Sequence, residues 1–253
     1  MKQPKRLAIY LIIAIAVFLY LNRSYAYIYN HIDNMNLTSP GTQQSYSFKN
    51  PSLQADMIKY VALGDSLTAG VGSNDYQKTF PYLLAMKLME KNDVTLTNLG
   101  GPGAKTKDVI TDQIDKAAAL NPDYLTLLIG TNDIHGLVSA KKFQTNFQTI
   151  IDQLTAKTKA KIIVINIPYL GAGNLILPPY DSYFDNKTKQ FNQIIKKIAD
   201  QKSLCYIDLY GQSKKSFAQN QKLYYSSDLF HPSAQGYQLW SEIIYANSSC
   251  FSN

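Results

Sequence analysis

Histidine and cysteine are scarce, with three of the first and two of the second in 253 residues. So few ligands, and no H-E-x-x-H pattern or Cys/His cluster, leave no sequence support for a zinc site. A phosphate loop is missing too. "GAKT" at 103–106 follows an apolar run, but Ala104 separates Gly103 from Lys105 and the G-K-[ST] ending is lost. The G-x-S-x-G elbow of one large hydrolase class is also absent, because Thr68 stands two residues after Ser66. No cofactor is therefore expected. There is no internal repeat and no long low-complexity tract. Nor is there a basic stripe: setting aside Lys2, Lys5, Arg6 and Arg23 lowers the formal charge from +7 to +3. That dispersed remainder is no footprint for a phosphate backbone, and nucleic acid is excluded as the main partner.

What is present divides the chain in three. Lys2, Lys5 and Arg6 precede "LAIYLIIAIAVFLYL", residues 7–21, fifteen apolar residues without a charge. As a helix this run is ~22 Å long, against a hydrocarbon core of ~30 Å that flanking residues would have to help span. Tyr25, Tyr27 and Tyr29 suit the interface beyond it. Residues 1–29 are expected to be a signal anchor or a cleaved signal peptide, Ser24-Tyr25-Ala26 offering a small-x-small site. Either one exports the domain, membrane-anchored facing outward or secreted, since the positive charges stay inside. No cysteine closely follows the apolar run, so a lipid-modified cysteine is not indicated. Residues 30–56 are polar and aperiodic, with Pro40, Gly41 and Pro51, and read as a linker. Residues 57–253 are expected to form one domain. Cys205 and Cys250 would pair in an exported domain or remain two buried thiols; both options are open.

From Lys59 onward, strand-length apolar runs alternate with helical patterns. "KYVALG", "DVTLTNLG", "DYLTLLIG", "AKIIVINIP" and "SLCYIDL" are the expected strands. Helices are expected over "FPYLLAMKLMEK", "KTKDVITDQIDKAAAL", "SAKKFQTNFQTIIDQLTAK", "YFDNKTKQFNQIIKKIADQ" and "HPSAQGYQLWSEIIYAN". Five such alternations with nearly continuous apolar strands predict an α/β fold, a parallel sheet covered by helices on both faces. Ligands of such sheets bind beyond the carboxyl ends of the strands.

Four polar clusters fall at those ends: Gly64-Asp65-Ser66, "NLGGPG" at 98–103, Gly130-Thr131-Asn132-Asp133, and Asp228-Leu229-Phe230-His231. A serine hydroxyl is a weak nucleophile at neutral pH and needs an imidazole to take its proton. His31 lies in the linker, so the base is His135 or His231. His231 is favoured, because Asp228 three residues earlier can orient its ring and Pro232-Ser233 starts a helix. His135 is read as a pocket-lining or surface residue. An oxyanion needs fixed donors, for which the Ser66 amide, the Gly103 amide and the Asn132 side chain are candidates. Asp65 and Asp133 are each expected to hydrogen-bond the turn they sit in.

Together and in this order the clusters resemble the SGNH (GDSL) hydrolase family over roughly Lys59 to Ala246. "ALGDSLTAG" resembles the first block, "NLGGPGAKT" the second, "LIGTNDI" the third and "SDLFHPSAQGY" the last. The second block departs in that Gly100, Gly101 and Gly103 crowd around Pro102. The resemblance implies a three-layer, flavodoxin-like sandwich on a five-stranded parallel sheet. It also implies Ser66, Asp228 and His231 as a catalytic triad, with Ser66, Gly103 and Asn132 as the oxyanion hole. The activity implied is hydrolysis of carboxylic esters through an acyl-enzyme.

The substrate is less sharply marked. "IPYLGAGNLILPPYDSYF" follows the fourth expected strand and offers Leu170, Leu175, Ile176 and Tyr180 as an acyl site, or these residues simply cap the core. With a membrane segment upstream, this favours a lipase or lysophospholipase-like esterase acting on an acyl ester substrate. Deacetylation of a cell-wall or other polysaccharide is the alternative. A non-catalytic binding module of the same fold would be expected to have lost a triad member, and none is missing.

Overall fold

The computed structural model describes residues 3–33, 39–41, 44–51, 56–169 and 175–251. Among these residues six strands form one sheet: β1 Gln44–Phe48, β2 Met57–Gly64, β3 Asp93–Asn98, β4 Tyr124–Leu128, β5 Lys161–Ile165 and β6 Cys205–Ile207. Their order across the sheet is β1-β3-β2-β4-β5-β6. The five expected strands, β2 to β6, pair parallel with one another, with Ala62 opposite Asn98 and Gly64 opposite Leu128. β4 is buried along its whole length, and β2 from Tyr60 onward. That is why these two strands read as continuous apolar runs rather than as alternating ones.

The α-helical segments among the described residues are, in chain order, α1 Gln3–Asp33, α2 Ser66–Ala69, α3 Phe80–Leu88, α4 Thr106–Asp108, α5 Ile114–Ala119, α6 Thr131–His135, α7 Ala140–Lys157, α8 Tyr180–Gln201, α9 Leu209–Gln219, α10 Gln221–Tyr224 and α11 Ala234–Ala246. A π turn over Val109–Gln113 joins α4 to α5. α3, α9, α10 and α11 pack among themselves, and so do α4, α5, α7 and α8. The β2-to-β3 and β3-to-β4 connections run in opposite directions across the sheet, so crossovers of the usual right hand put these two groups on opposite faces. α7 is amphipathic, with Phe143, Phe147, Ile150, Ile151 and Leu154 as its buried apolar residues.

Two features depart from the sequence reading. β1 lies within the stretch read as a linker and pairs antiparallel with β3, making six strands where five were expected. Its signal is faint because an edge strand needs only one covered face. Here that cover is Tyr46 stacked on Tyr76 at 5.0 Å and Phe48 against Tyr82 at 4.9 Å. α1 likewise runs past the apolar segment to Asp33. Cys205 and Cys250 are joined as a disulfide, Cα to Cα 5.6 Å, which ties β6 to the end of the chain.

The chain passes from β2 to β3 on one side and then to β4 on the other. The switch point between the carboxyl ends of β2 and β4 is where such sheets form their ligand crevice. Ser66 follows β2, and Asn132 follows β4.

Candidate active site

β2 ends in a turn that only glycine fits. Gly64 has φ +155°, and a Cβ there would stand 2.2 Å from both Leu128 O and Thr68 Oγ1. Asp65 then caps α2, its Oδ1 accepting the Leu67 amide at 2.9 Å. Ser66 is therefore the first helical residue, and its N–H is among those that a helix start leaves without an intrahelical acceptor. The Gly64 backbone is held on both sides by the Gln113 side chain: N–H to Oε1 at 3.0 Å and Nε2 to the carbonyl at 2.8 Å. The π turn before α5 carries Gln113 to this place, which no helical spacing would have indicated.

The other partners come from the loop before α11. His231 Nε2 lies 2.9 Å from Ser66 Oγ, and His231 Nδ1 lies 2.5 Å from Asp228 Oδ2. Asp228 is fully buried; its Oδ1 accepts from Ser226 Oγ and from the amides of Phe230 and His231 at 2.5, 3.0 and 2.9 Å. Burial alone would raise its pKa, but the bond from His231, its charge, and those from Ser226 and Phe230 hold it below the usual carboxylate range. The loop is closed by the Ser226 amide donating to His231 O at 2.8 Å, and Ser233 caps α11 through the Gly236 amide. Sequence spacing pointed to these three residues, and the fold brings all three together. A hydroxyl, an imidazole and a carboxylate in hydrogen-bonded series can deprotonate the hydroxyl as it attacks an electrophile.

The second and third clusters meet beside α2. Asn98 Nδ2 donates to Thr68 O at 2.8 Å, and its Oδ1 accepts the Gly100 amide at 2.9 Å. Gly100 packs so closely that a Cβ would stand 2.5 Å from Ala69 N. Asn132, the second residue of α6, donates from Nδ2 to Ala104 O at 3.0 Å, which joins the strand-end loops of β3 and β4. Gly103 has φ +76°, with open space where a Cβ would be, and lines a cleft with Leu99, Asp108, Gln113 and Lys116. That cleft does not include Ser66, Asn132 or His231.

Asp133 does not bond its own turn as expected. It reaches the loop after β3, accepting from Thr106 N at 2.8 Å and Thr106 Oγ1 at 2.6 Å, while Asn146 Nδ2 donates to Thr106 Oγ1 at 3.0 Å. This bracket fixes one candidate donor loop against the other. Burial raises the Asp133 pKa against the opposing Thr106 bonds. Thr106 and Asn146 had no signal in the sequence, because their partners are distant along the chain.

Asp65 is the other buried carboxylate, and its Oδ2 has no hydrogen-bond partner among the described residues. Burial pushes its pKa up to about 7, opposed by the Leu67 amide and reinforced by the charge of Asp133. The folded protein then holds a proton that the unfolded chain, at 3.8, has released, so this group's stabilisation is lost as pH rises from about 4 to about 7. Asp65→Asn keeps an acceptor for Leu67 without a titrating group. Urea denaturation at pH 5 and pH 8 is expected to show the wild-type decline shrinking by about 2–3 kcal/mol in the variant. Parallel declines would assign the effect to another group.

The residues proposed as an acyl site fare differently. Leu170 lies outside the described residues. Leu175 and Ile176 are buried in the core cluster and offer no surface to a ligand. Tyr180 is half-buried, and its hydroxyl donates to Leu21 O in α1 at 3.2 Å. His135 is buried between Phe184, 4.6 Å away, and Phe230, 5.2 Å away. Burial and the charge of His231 push its pKa down to about 4, so it is a neutral wall residue. Among the described residues no three His, Cys, Asp or Glu side chains converge to hold a metal ion.

Comparison with known proteins gives the family and the fold. A family model described as GDSL-like lipase/acylhydrolase matches residues 62–239. The spore germination lipase LipC of Bacillus licheniformis is 26% identical over 214 residues, covering 75% of this chain and 95% of the relative. Among solved structures, the lipase/acylhydrolase from Enterococcus faecalis superposes with a TM-score of 0.62 at 24% identity, over 75% of this chain and 94% of its own. The acetylxylan esterase Axe2 from Geobacillus stearothermophilus gives 0.62 at 18% identity, over 76% and 94%.

Proposed function

The chain belongs to the GDSL-like lipase/acylhydrolase family, the SGNH hydrolases, and is a carboxylic ester hydrolase; we propose that it cleaves lipid esters at a membrane surface through Ser66, His231 and Asp228. The observation that carries this reading is the unbroken series from Ser66 Oγ to His231 to Asp228, at 2.9 and 2.5 Å.

In the first half-reaction Ser66 Oγ attacks the ester carbonyl carbon while His231 Nε2 takes the hydroxyl proton. The carbonyl π pair moves onto oxygen, and the oxyanion is held by the Ser66 amide and Asn132 Nδ2; Gly103, which lines the separate cleft, is left out of this set. The tetrahedral centre collapses, the bond to the alcohol oxygen breaks, and His231 returns the proton to the departing alcohol. In the second half, water loses a proton to His231 as it adds to the acyl-enzyme, and Ser66 leaves with that proton. Asp228, ionised and fully hydrogen-bonded, keeps the Nδ1–H turned toward itself, so that Nε2 is the basic nitrogen. Asn132→Ala is expected to lower kcat by about 10²–10³-fold with little change in KM, as measured by steady-state ester hydrolysis. An equal rise in KM would instead mark Asn132 as a ground-state contact.

We place this domain on the outer side of a membrane with residues 1–29 retained as an anchor. Residues Arg6–Ile28 have the length and composition to cross a bilayer, and the large apolar side chains from Leu7 to Tyr20 are the exposed part that suits lipid. Ser24 is buried and Ile28 belongs to the domain's core cluster, which supports retention over cleavage at Ser24-Tyr25-Ala26. The test is a series of chromogenic esters from acetyl to palmitoyl, with Ser66→Ala as control. A Ser66-dependent rate peaking at medium or long chains supports the lipid reading, and a peak at acetyl replaces it with a polysaccharide O-acetyl esterase.

A further inference from the structure

We propose that the acyl chain of a bilayer ester lipid binds in the groove between the anchor helix α1 and the start of α8, so that the anchor is one wall of the substrate site. This rests on the lipid-esterase reading above and extends it to a named cavity. The groove has a volume of about 660 Å³, within the range of small-molecule pockets. Phe18, Leu21 and Tyr25 of α1 face Leu137, Tyr180 and Phe184 of the domain across it.

Two of its polar side chains are already engaged in hydrogen bonds. Asn22 Nδ2 donates within its own helix to Phe18 O at 2.9 Å, and the Tyr180 hydroxyl donates to Leu21 O. The same contacts pin the two walls, with Tyr20 Oη donating to Pro178 O at 3.0 Å and the Tyr25 and Tyr180 rings 5.6 Å apart. Apart from the Tyr183 hydroxyl, what remains to meet a ligand is mostly apolar and aromatic, which suits hydrocarbon better than a sugar.

Two continuities fix the occupant. At one end the groove merges with the exposed apolar surface of α1: Phe18, a wall residue, is 64% exposed, and the exposed large apolar side chains continue back to Leu7. In a bilayer that surface is in lipid, so an acyl chain passes from the membrane into the groove without crossing water. At the other end Phe184 packs on His135, His135 on Phe230, and Phe230 on His231 at 5.0 Å. These rings are almost fully buried and touch in series, so side-chain packing couples the groove to the imidazole that faces Ser66. His135 is part of that series, and its neutrality follows from the same burial.

The experiment uses the full chain in phospholipid nanodiscs. Leu137 is 58% exposed at the groove, so Leu137→Trp and Leu137→Asp change the lumen by volume and by charge with little risk to folding. Both are expected to lower the palmitoyl-to-acetyl ratio of kcat/KM by about tenfold or more. An unchanged ratio in both variants overturns the groove. A second readout needs no turnover: Ser66→Ala protein is photolabelled with a diazirine-palmitoyl lysophosphatidylcholine and mapped by mass spectrometry. Label on residues 18–25 and 179–184 supports the site, and label confined to 7–17 or elsewhere overturns it. Loss of Ser66-dependent hydrolysis on every ester would overturn the enzymatic reading, while the photolabel still decides the groove.

Discussion

Replacing Ser66 with alanine is expected to lower ester hydrolysis by about 10⁴-fold or more while leaving the fold in place. The substitution removes one oxygen, whose contact is His231 Nε2 at 2.9 Å. The start of α2 does not depend on it, since Asp65 supplies the cap and the Ser66 carbonyl still accepts the Val71 amide at 3.0 Å. Thermal midpoints of the two proteins should therefore agree closely. Without the hydroxyl no acyl-enzyme forms, and the activity left is what bound water gains from the oxyanion donors and from substrate binding, about 10³–10⁴-fold over solution. Two measurements separate a lost nucleophile from a damaged site. Wild-type protein should take up one equivalent of a fluorophosphonate on Ser66 and the variant none. Wild type should also give a burst of alcohol before the steady state wherever deacylation is slow. Full activity in Ser66→Ala would remove Ser66 from the mechanism, whatever its distance from His231.

How much of this site was legible in the sequence follows from how each part is built. Ser66 and the Asp228–His231 pair stand in short local patterns: a strand end turned by Gly64, and a carboxylate three residues before a histidine at a helix start. Such patterns survive in one dimension because the turn chemistry is local. The five parallel strands were legible for a similar reason, as full burial of β2 and β4 leaves apolar runs that need no partner to be recognised. β1 was not, since an edge strand of sequence QSYSF holds its place by pairing with β3 and by Tyr46 and Phe48 against Tyr76 and Tyr82. Gln113 was hidden because a π turn breaks the helical register that would have placed it. Asp133 was assigned to its own turn, while its carboxylate answers Thr106, 27 residues away. The Leu175 and Ile176 assignment failed on a general ambiguity: apolar residues in a loop near a site look the same whether they face a ligand or the core. Only the packing of α1 against α8 shows where an apolar cavity opens.

Changing Asp228 to asparagine is expected to cost about 10⁴-fold in kcat, nearly as much as losing the nucleophile, without removing a single heavy-atom contact. The reason lies in which nitrogen of His231 carries the proton. The Asp228 carboxylate accepts on both oxygens: Oδ1 takes Ser226 Oγ and the amides of Phe230 and His231, and Oδ2 takes His231 Nδ1. An asparagine placed with its oxygen toward those amides keeps that set of bonds and turns its NH₂ toward Nδ1. The ring must then accept at Nδ1 and carry its proton on Nε2, so it donates to Ser66 Oγ and has no lone pair to take the proton. Stability should change little, because the buried donors stay satisfied. Asp228→Ala removes the acceptors as well and leaves the Phe230 and His231 amides unpaired in a dry site, at about 1–3 kcal/mol each. The pair of variants thus divides the two roles of one side chain. Both should lose turnover alike, as measured by ester hydrolysis, while urea denaturation should find only the alanine variant markedly weaker. Equal stability in the two would mean that the loop from Ser226 to Ser233 is held by its own backbone bonds, the Ser226 amide to His231 O and the Ser233 amide to Tyr224 O, both at 2.8 Å. Asp228 would then serve the imidazole alone.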